Sequence, residues 1–102
     1  MSRRGPEGKI QDAVIKYARE RYEALCKKNE VGRFFVGSGF PDYTIYASGG
    51  RVCLIEFKKP GAGSRLTDLQ THIKERLENL GHRYYKVDSI NYGKIVIDQE
   101  CS

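Results

Sequence analysis

Apolar residues recur at Ile10, Ala13, Val14, Tyr17, Ala18, Leu25 and Cys26, close to the helical period, while Lys and Glu fill most positions between them. The pattern predicts a helix over 6–29. Pro6 suits its first position, Glu7 complements the positive end of the helix dipole, and Gly32 closes the segment. The period then changes. Short aromatic and β-branched runs at 33–36, 43–47 and 51–58 predict strands, broken by Gly37-Ser38-Gly39 and by Ser48-Gly49-Gly50, which reads as a tight hairpin turn. Residues 59–64, Lys-Pro-Gly-Ala-Gly-Ser, continue neither element and predict a loop. Thr67 with Gln70 three residues on makes a capping box, and Leu66, Leu69, Ile73, Leu77 and Leu80 form an apolar stripe that ends at Gly81. That is a second helix. Residues 83–87 predict a fourth strand, and beyond Asp88 the positions Ile90, Ile95, Val96 and Ile97 suit either a short helix or a last strand. The order is αβββαβ plus a tail, an α/β chain without repeats or linker.

Length and composition narrow the class. With 102 residues, 39% hydrophobic and 30% charged, the chain suits one globular domain spanning 1–102, large enough for a core without obligatory disulfides or metals. No apolar run approaches the roughly 20 residues of a membrane span, and the first residues lack an apolar signal region. A soluble, cytoplasmic protein with no membrane partner is expected. Cys26, Cys53 and Cys101 are odd in number and widely spaced, which argues against a zinc site or disulfide framework, and Cys53 reads as a core residue. The formal charge of +5 permits a polyanionic partner without requiring one.

The hairpin concentrates the chemistry. If 48–50 form a three-residue loop with a left-handed glycine, Ala47 pairs with Arg51, Tyr46 with Val52 and Thr44 with Leu54. Asp42 then faces Glu56, with Cβ atoms about 5 Å apart on one face of the sheet. Two opposed carboxylates cost stability, and a divalent cation held by oxygen ligands removes that cost. Along the next strand Val52, Leu54, Glu56 and Lys58 share a face, while Cys53, Ile55 and Phe57 share the other. An apolar start on both faces marks a central strand, so Glu56 and Lys58 end a buried strand where polar residues need a reason. An ammonium there can position a metal-bound water and stabilise charge as a phosphate is attacked.

Gly39-Phe40-Pro41-Asp42 followed by Ile55-Glu56-Phe57-Lys58 resembles the PD-(D/E)XK nuclease signature, and Leu66-Thr67-Asp68-Leu69-Gln70 adds a helix-borne glutamine. With Glu7 and Gln11 in the first helix and Gly81 before the last strand, the pattern is similar to the VRR-NUC branch of that superfamily, over roughly 6–89. The resemblance implies a restriction-endonuclease-like αβββαβ core, a mixed four-stranded sheet flanked by helices. It implies Mg²⁺ or Mn²⁺ on Asp42 and Glu56 with the Phe57 main-chain carbonyl, and Lys58 orienting or activating the attacking water. It also gives Glu7 the family's helix carboxylate role and Gln70 that of the supporting glutamine; Glu7 shares the inward helix face with Ile10 and Gln11, from which it can reach the metal directly or, as favoured here, through water. Thr67-Asp68 replaces the commoner Ser-Pro helix start.

Plainer readings stand beside these. Glu7 could be no more than a favourable helix-start charge and Gln70 the second half of a capping box. Arg3, Arg4, Lys9, Lys59 and Arg65 flank the motif residues and are the candidate phosphate contacts, whereas Lys16, Arg19 and Arg21 read as a solvated helix face. Three classes of function follow: a metal-dependent DNA endonuclease, a non-catalytic nucleic-acid-binding module that keeps the fold, and an interaction protein docking through its tyrosines. The resemblance favours the first, as a homodimer nicking branched, Holliday-junction-like DNA, with the first helix and residues 90–97 as candidate interface.

Overall fold

The computed structural model describes residues 5–29, 39–61 and 64–102. Helix α1 (Pro6–Tyr22) leads into strand β1 (Leu25–Lys28). Strands β2 (Tyr43–Tyr46) and β3 (Val52–Phe57) follow, then α2 (Asp68–Asn79), β4 (Arg83–Val87) and α3 (Ile90–Cys101). The four strands lie in the order β1-β2-β3-β4, antiparallel at the first two pairings and parallel between β3 and β4. The α/β class and the mixed four-stranded sheet flanked by helices stand as expected.

The hairpin has the register that its turn chemistry predicts: Tyr46 opposes Val52, Thr44 opposes Leu54, and Tyr43 opposes Ile55. Gly49 and Gly50 both take positive φ in the turn, and the Ala47 N–H donates to the Arg51 carbonyl at 2.8 Å. Strand β3 is buried on both faces. Cys53, Ile55 and Phe57 join Ile10, Val14, Ile15 and Ala18 of α1 and Val96, Ile97 and Cys101 of α3 in one core. Leu54 and Glu56 are buried on the opposite face.

The N-terminal segment departs from the expectation, and the tail takes one of its two alternatives. The first helix does not run to 29: Glu23 turns into the left-handed region (φ 53°), its N–H closing on the Arg19 carbonyl, and the chain reverses into β1. Leu25 and Cys26, which prolong the helical period in sequence, alternate instead as an exposed and a buried strand residue. The strand expected at 33–36 lies outside the described residues. The tail is a helix, capped by Ser89 Oγ accepting from the Tyr92 N–H. Gly93 lets α3 approach α1, since a Cβ there would meet Val14 Cγ2 at 2.3 Å. Among the described residues no helix is long and apolar enough to cross a membrane.

Candidate functional site

Extending the β2–β3 register by one pair sets Asp42 against Glu56 at the end of the sheet where β3 and β4 both finish. Asp42 is held from both sides of its backbone. The Asn29 N–H donates to its carbonyl at 2.8 Å, and Asn29 Nδ2 donates to the Pro41 carbonyl at 3.1 Å. Its side chain crosses to β3, where Oδ2 accepts from the Phe57 N–H at 2.8 Å. Asn29 is a positioning residue that the sequence reading assigned to the end of a helix. Gly39 serves the same corner, because a Cβ there would lie 2.7 Å from the Leu69 main chain. Only glycine lets the segment before Asp42 lie against the first turn of α2.

That turn delivers Gln70. Thr67 Oγ1 accepts from the Gln70 N–H at 3.1 Å, and Gln70 Oε1 accepts from the Thr67 N–H at 2.9 Å, completing the capping box. The amide's other end, Nε2, donates to Glu56 Oε2 at 3.2 Å. The two readings of Gln70 are thus compatible, because a side-chain amide offers both an acceptor and donors.

Glu56 is 4% exposed. Burial pushes its carboxyl up to about 8; the facing Asp42 charge adds to the rise, Lys58 opposes it, and Glu7 adds a smaller push. A protonated Glu56 can donate to the facing Asp42, but once both are ionised they are acceptors only, and among the described residues Glu56 Oε1 has no donor. Lys58 is half-buried just past β3, its N–H donating to the Val87 carbonyl at 2.9 Å. Two carboxylates, a neighbouring main chain and an unpartnered buried oxygen suit a hard cation taking oxygen ligands. No group of three His, Cys, Asp or Glu side chains stands ready among the described residues, so water would complete such a shell, as Mg²⁺ commonly requires.

The architecture around this pair is shared. One solved chain, a "VRR_NUC domain", superposes with TM-score 0.77 over 93% of this chain and 97% of its own, at 23% identity. Another, a "VRR_NUC domain protein", gives 0.73 over 97% and 90%, at 20% identity. The chain has the VRR_NUC fold. No family model and no curated protein matches the sequence.

Within this VRR_NUC fold the expected site residues divide. Asp42, Glu56, Phe57, Lys58 and Gln70 converge on the sheet end, and Glu7 lies on the exposed first turn of α1, close enough for its charge to act on Glu56. Lys9, Lys59 and Arg65 are exposed, while Arg3 and Arg4 lie outside the described residues. The interaction-protein reading expects Tyr84, a strand residue, on a docking surface with Tyr22, Tyr43 and Tyr92. Tyr84 is instead buried on the Glu56 face, where burial, then the charges of Glu56 and Asp42, hold its phenolic proton far above the usual range.

A second buried cluster was not legible. Glu100, 1% exposed, accepts from Arg83 Nε at 2.8 Å and Arg51 Nη2 at 3.2 Å, and from the Tyr85 hydroxyl. Burial alone would raise its carboxyl, yet Tyr85 and the two guanidinium groups bring it below the usual value. Arg51 precedes β3 and Arg83 opens β4, so this cluster ties α3 to the sheet end opposite Glu56 and is structural.

Proposed function

We propose that the protein is a VRR-NUC-family, Mg²⁺- or Mn²⁺-dependent endonuclease that hydrolyses phosphodiester bonds in DNA. The observation that carries this reading is Glu56, buried against Asp42 with an oxygen that has no donor. Folding alone would not favour that pairing, and a divalent cation offsets it. Asp42 and Glu56 would hold the ion with the Phe57 carbonyl, Asp42 oriented by the Phe57 N–H and Glu56 by Gln70. When bound, such an ion supplies Lewis acidity toward a phosphate oxygen and an acidified water. Lys58 follows Glu56 on the same face, where its ammonium orients the attacking water and stabilises negative charge on the phosphate. Glu7 acts from the helix start through water, and Lys9, Lys59 and Arg65, with Arg3 and Arg4, take backbone phosphates without reading bases.

The substrate is branched DNA and the working form a homodimer. One centre cuts one strand, and a two-fold pair of centres matches the symmetry of a four-way junction. Exposed Ile90, Tyr92 and Ile95 on α3 supply apolar surface for the pairing. A second reading, a binding module that keeps the fold without the chemistry, draws on the exposure of Glu7 and the absence of a third acidic side chain at the pair among the described residues.

Incubation of the protein with a four-way junction and a linear duplex, in Mn²⁺ and in EDTA, separates the readings. Metal-dependent nicking that prefers the junction is expected. Retarded but intact DNA would favour the binding module, and DNA neither cut nor retarded would overturn both readings.

A further inference from the structure

Three buried side-chain atoms among the described residues have no hydrogen-bond partner: Glu56 Oε1, Ser64 Oγ and Tyr84 Oη. Two of them share one face of the sheet, and the third belongs to a residue whose carbonyl is tied to a lysine on that face. In the parallel β3–β4 pairing Leu54 opposes Tyr84 and Glu56 opposes Lys86, so Tyr84 stands on the face of Glu56, one pleat back along the neighbouring strand. Lys86 Nζ donates to the Ser64 carbonyl at 2.8 Å, which ties Ser64 to a lysine of that same face. Lys74 of α2 lies over the Tyr84 ring, 6.0 Å from its centroid, and fixes the ring rather than the hydroxyl.

Buried polar atoms without partners are uncommon, and each needs a cause. Phenylalanine at 84 would fill the same space and stack under Lys74 with no orphaned oxygen, so packing does not explain the hydroxyl. The geometry supplies a cause: a donor without an acceptor, Tyr84 Oη, shares the face of an acceptor without a donor, Glu56 Oε1, and Ser64 Oγ, a second unpaired donor, follows from the loop tied to Lys86 on that face.

We propose that Tyr84 is a positioning residue of the Asp42–Glu56 centre, its hydroxyl donating through one ordered water shared with Ser64 to the free oxygen of Glu56 when that carboxylate carries a divalent cation. The inference rests on the metal-dependent reading above. Carboxylates that bind metals are themselves hydrogen-bonded from behind, and loss of such an outer partner typically weakens metal binding by about 10- to 100-fold.

Calorimetric titration with Mn²⁺, paired with thermal denaturation in EDTA, tests it on the wild-type protein, Tyr84→Phe, Ser64→Ala and Glu56→Gln. Tyr84→Phe is expected to bind Mn²⁺ at least about tenfold more weakly while its metal-free melting temperature is unchanged or higher, because the hydroxyl it loses had no partner. Ser64→Ala should shift affinity in the same direction by less. Mn²⁺ affinity of Tyr84→Phe within twofold of wild type overturns the inference. So does a metal-free melting temperature that falls, which would mean that the hydroxyl is bonded without metal. A wild-type protein that binds no Mn²⁺, or binds it equally well as Glu56→Gln, overturns the metal reading itself, an outcome distinct from the first two.

Discussion

Glu56 keeps its proton to about pH 8 against an ordinary value of 4.5, and the shift has a defined sign. The folded chain binds this proton more tightly than the unfolded one. The stability gained is therefore complete below about pH 4.5 and is lost as pH rises through 8. In EDTA the melting temperature should fall between about pH 5 and pH 8.5, and Glu56→Gln should flatten that slope and raise stability at the alkaline end by about 2–4 kcal/mol. An unchanged slope would mean that Glu56 ionises freely. Asp42→Asn, with repulsion relieved, should fold normally and lose both Mn²⁺ binding and cleavage. Lys58→Ala should keep Mn²⁺ affinity but lose about 10²- to 10⁴-fold in cleavage rate, measured at saturating metal.

Helix α3 is held at two points. Gly93 sets its crossing with α1, and Gly93→Ala drives a methyl into Val14, an overpacking cost of about 1–3 kcal/mol readable in urea denaturation. Glu100 sets its depth. Glu100→Ala leaves Arg51 and Arg83, both part-exposed, facing each other and the Tyr85 hydroxyl without its acceptor, at a cost of about 1–3 kcal/mol. The reverse pH logic applies here: the Glu100 carboxyl lies below its ordinary value, so its contribution is present above that value and is lost on acidification. Helix α2 differs, since none of its residues is fully buried, and of the apolar stripe Leu69 and, at the C-cap, Leu80 are exposed. Its docking depends on the turn that carries Gln70 more than on apolar burial.

For the whole molecule, assembly and charge carry the expectations. Helix α1 and the inner face of α3 bury each other, so Val14, Ile15, Ala18, Val96 and Ile97 are excluded from any dimer contact, while Ile90, Tyr92 and Ile95 on the outer face of α3 are exposed. Light scattering at micromolar concentration should show a dimer, and Ile95→Lys should return it to a monomer; a monomeric wild type would remove the two-fold account of junction cleavage. Phosphate contacts through lysine and arginine should make DNA affinity fall steeply with salt, with a shallower slope in a Lys59→Ala and Arg65→Ala double variant.

Sequence alone determined what short-range rules govern. The register that brings Asp42 to Glu56 follows from a three-residue glycine turn, the facing of Glu56 and Lys58 from strand alternation, and the placement of Gln70 from a capping box within one turn of helix. Where the interaction spans the chain, the pattern was silent or misleading. Leu25 and Cys26 keep helical spacing, yet Glu23 takes a left-handed conformation without a glycine to announce it, because the reversal brings Cys26 under the core. Residues beyond Asp88 suited either element until Gly93 met Val14 and Glu100 met Arg51 and Arg83. Tyr84 reads as an ordinary strand tyrosine, and only the parallel pairing of β3 with β4 sets it on the face of Glu56. Turns, caps and alternation are decided by neighbours in sequence, whereas burial and pairing across many residues depend on which elements meet.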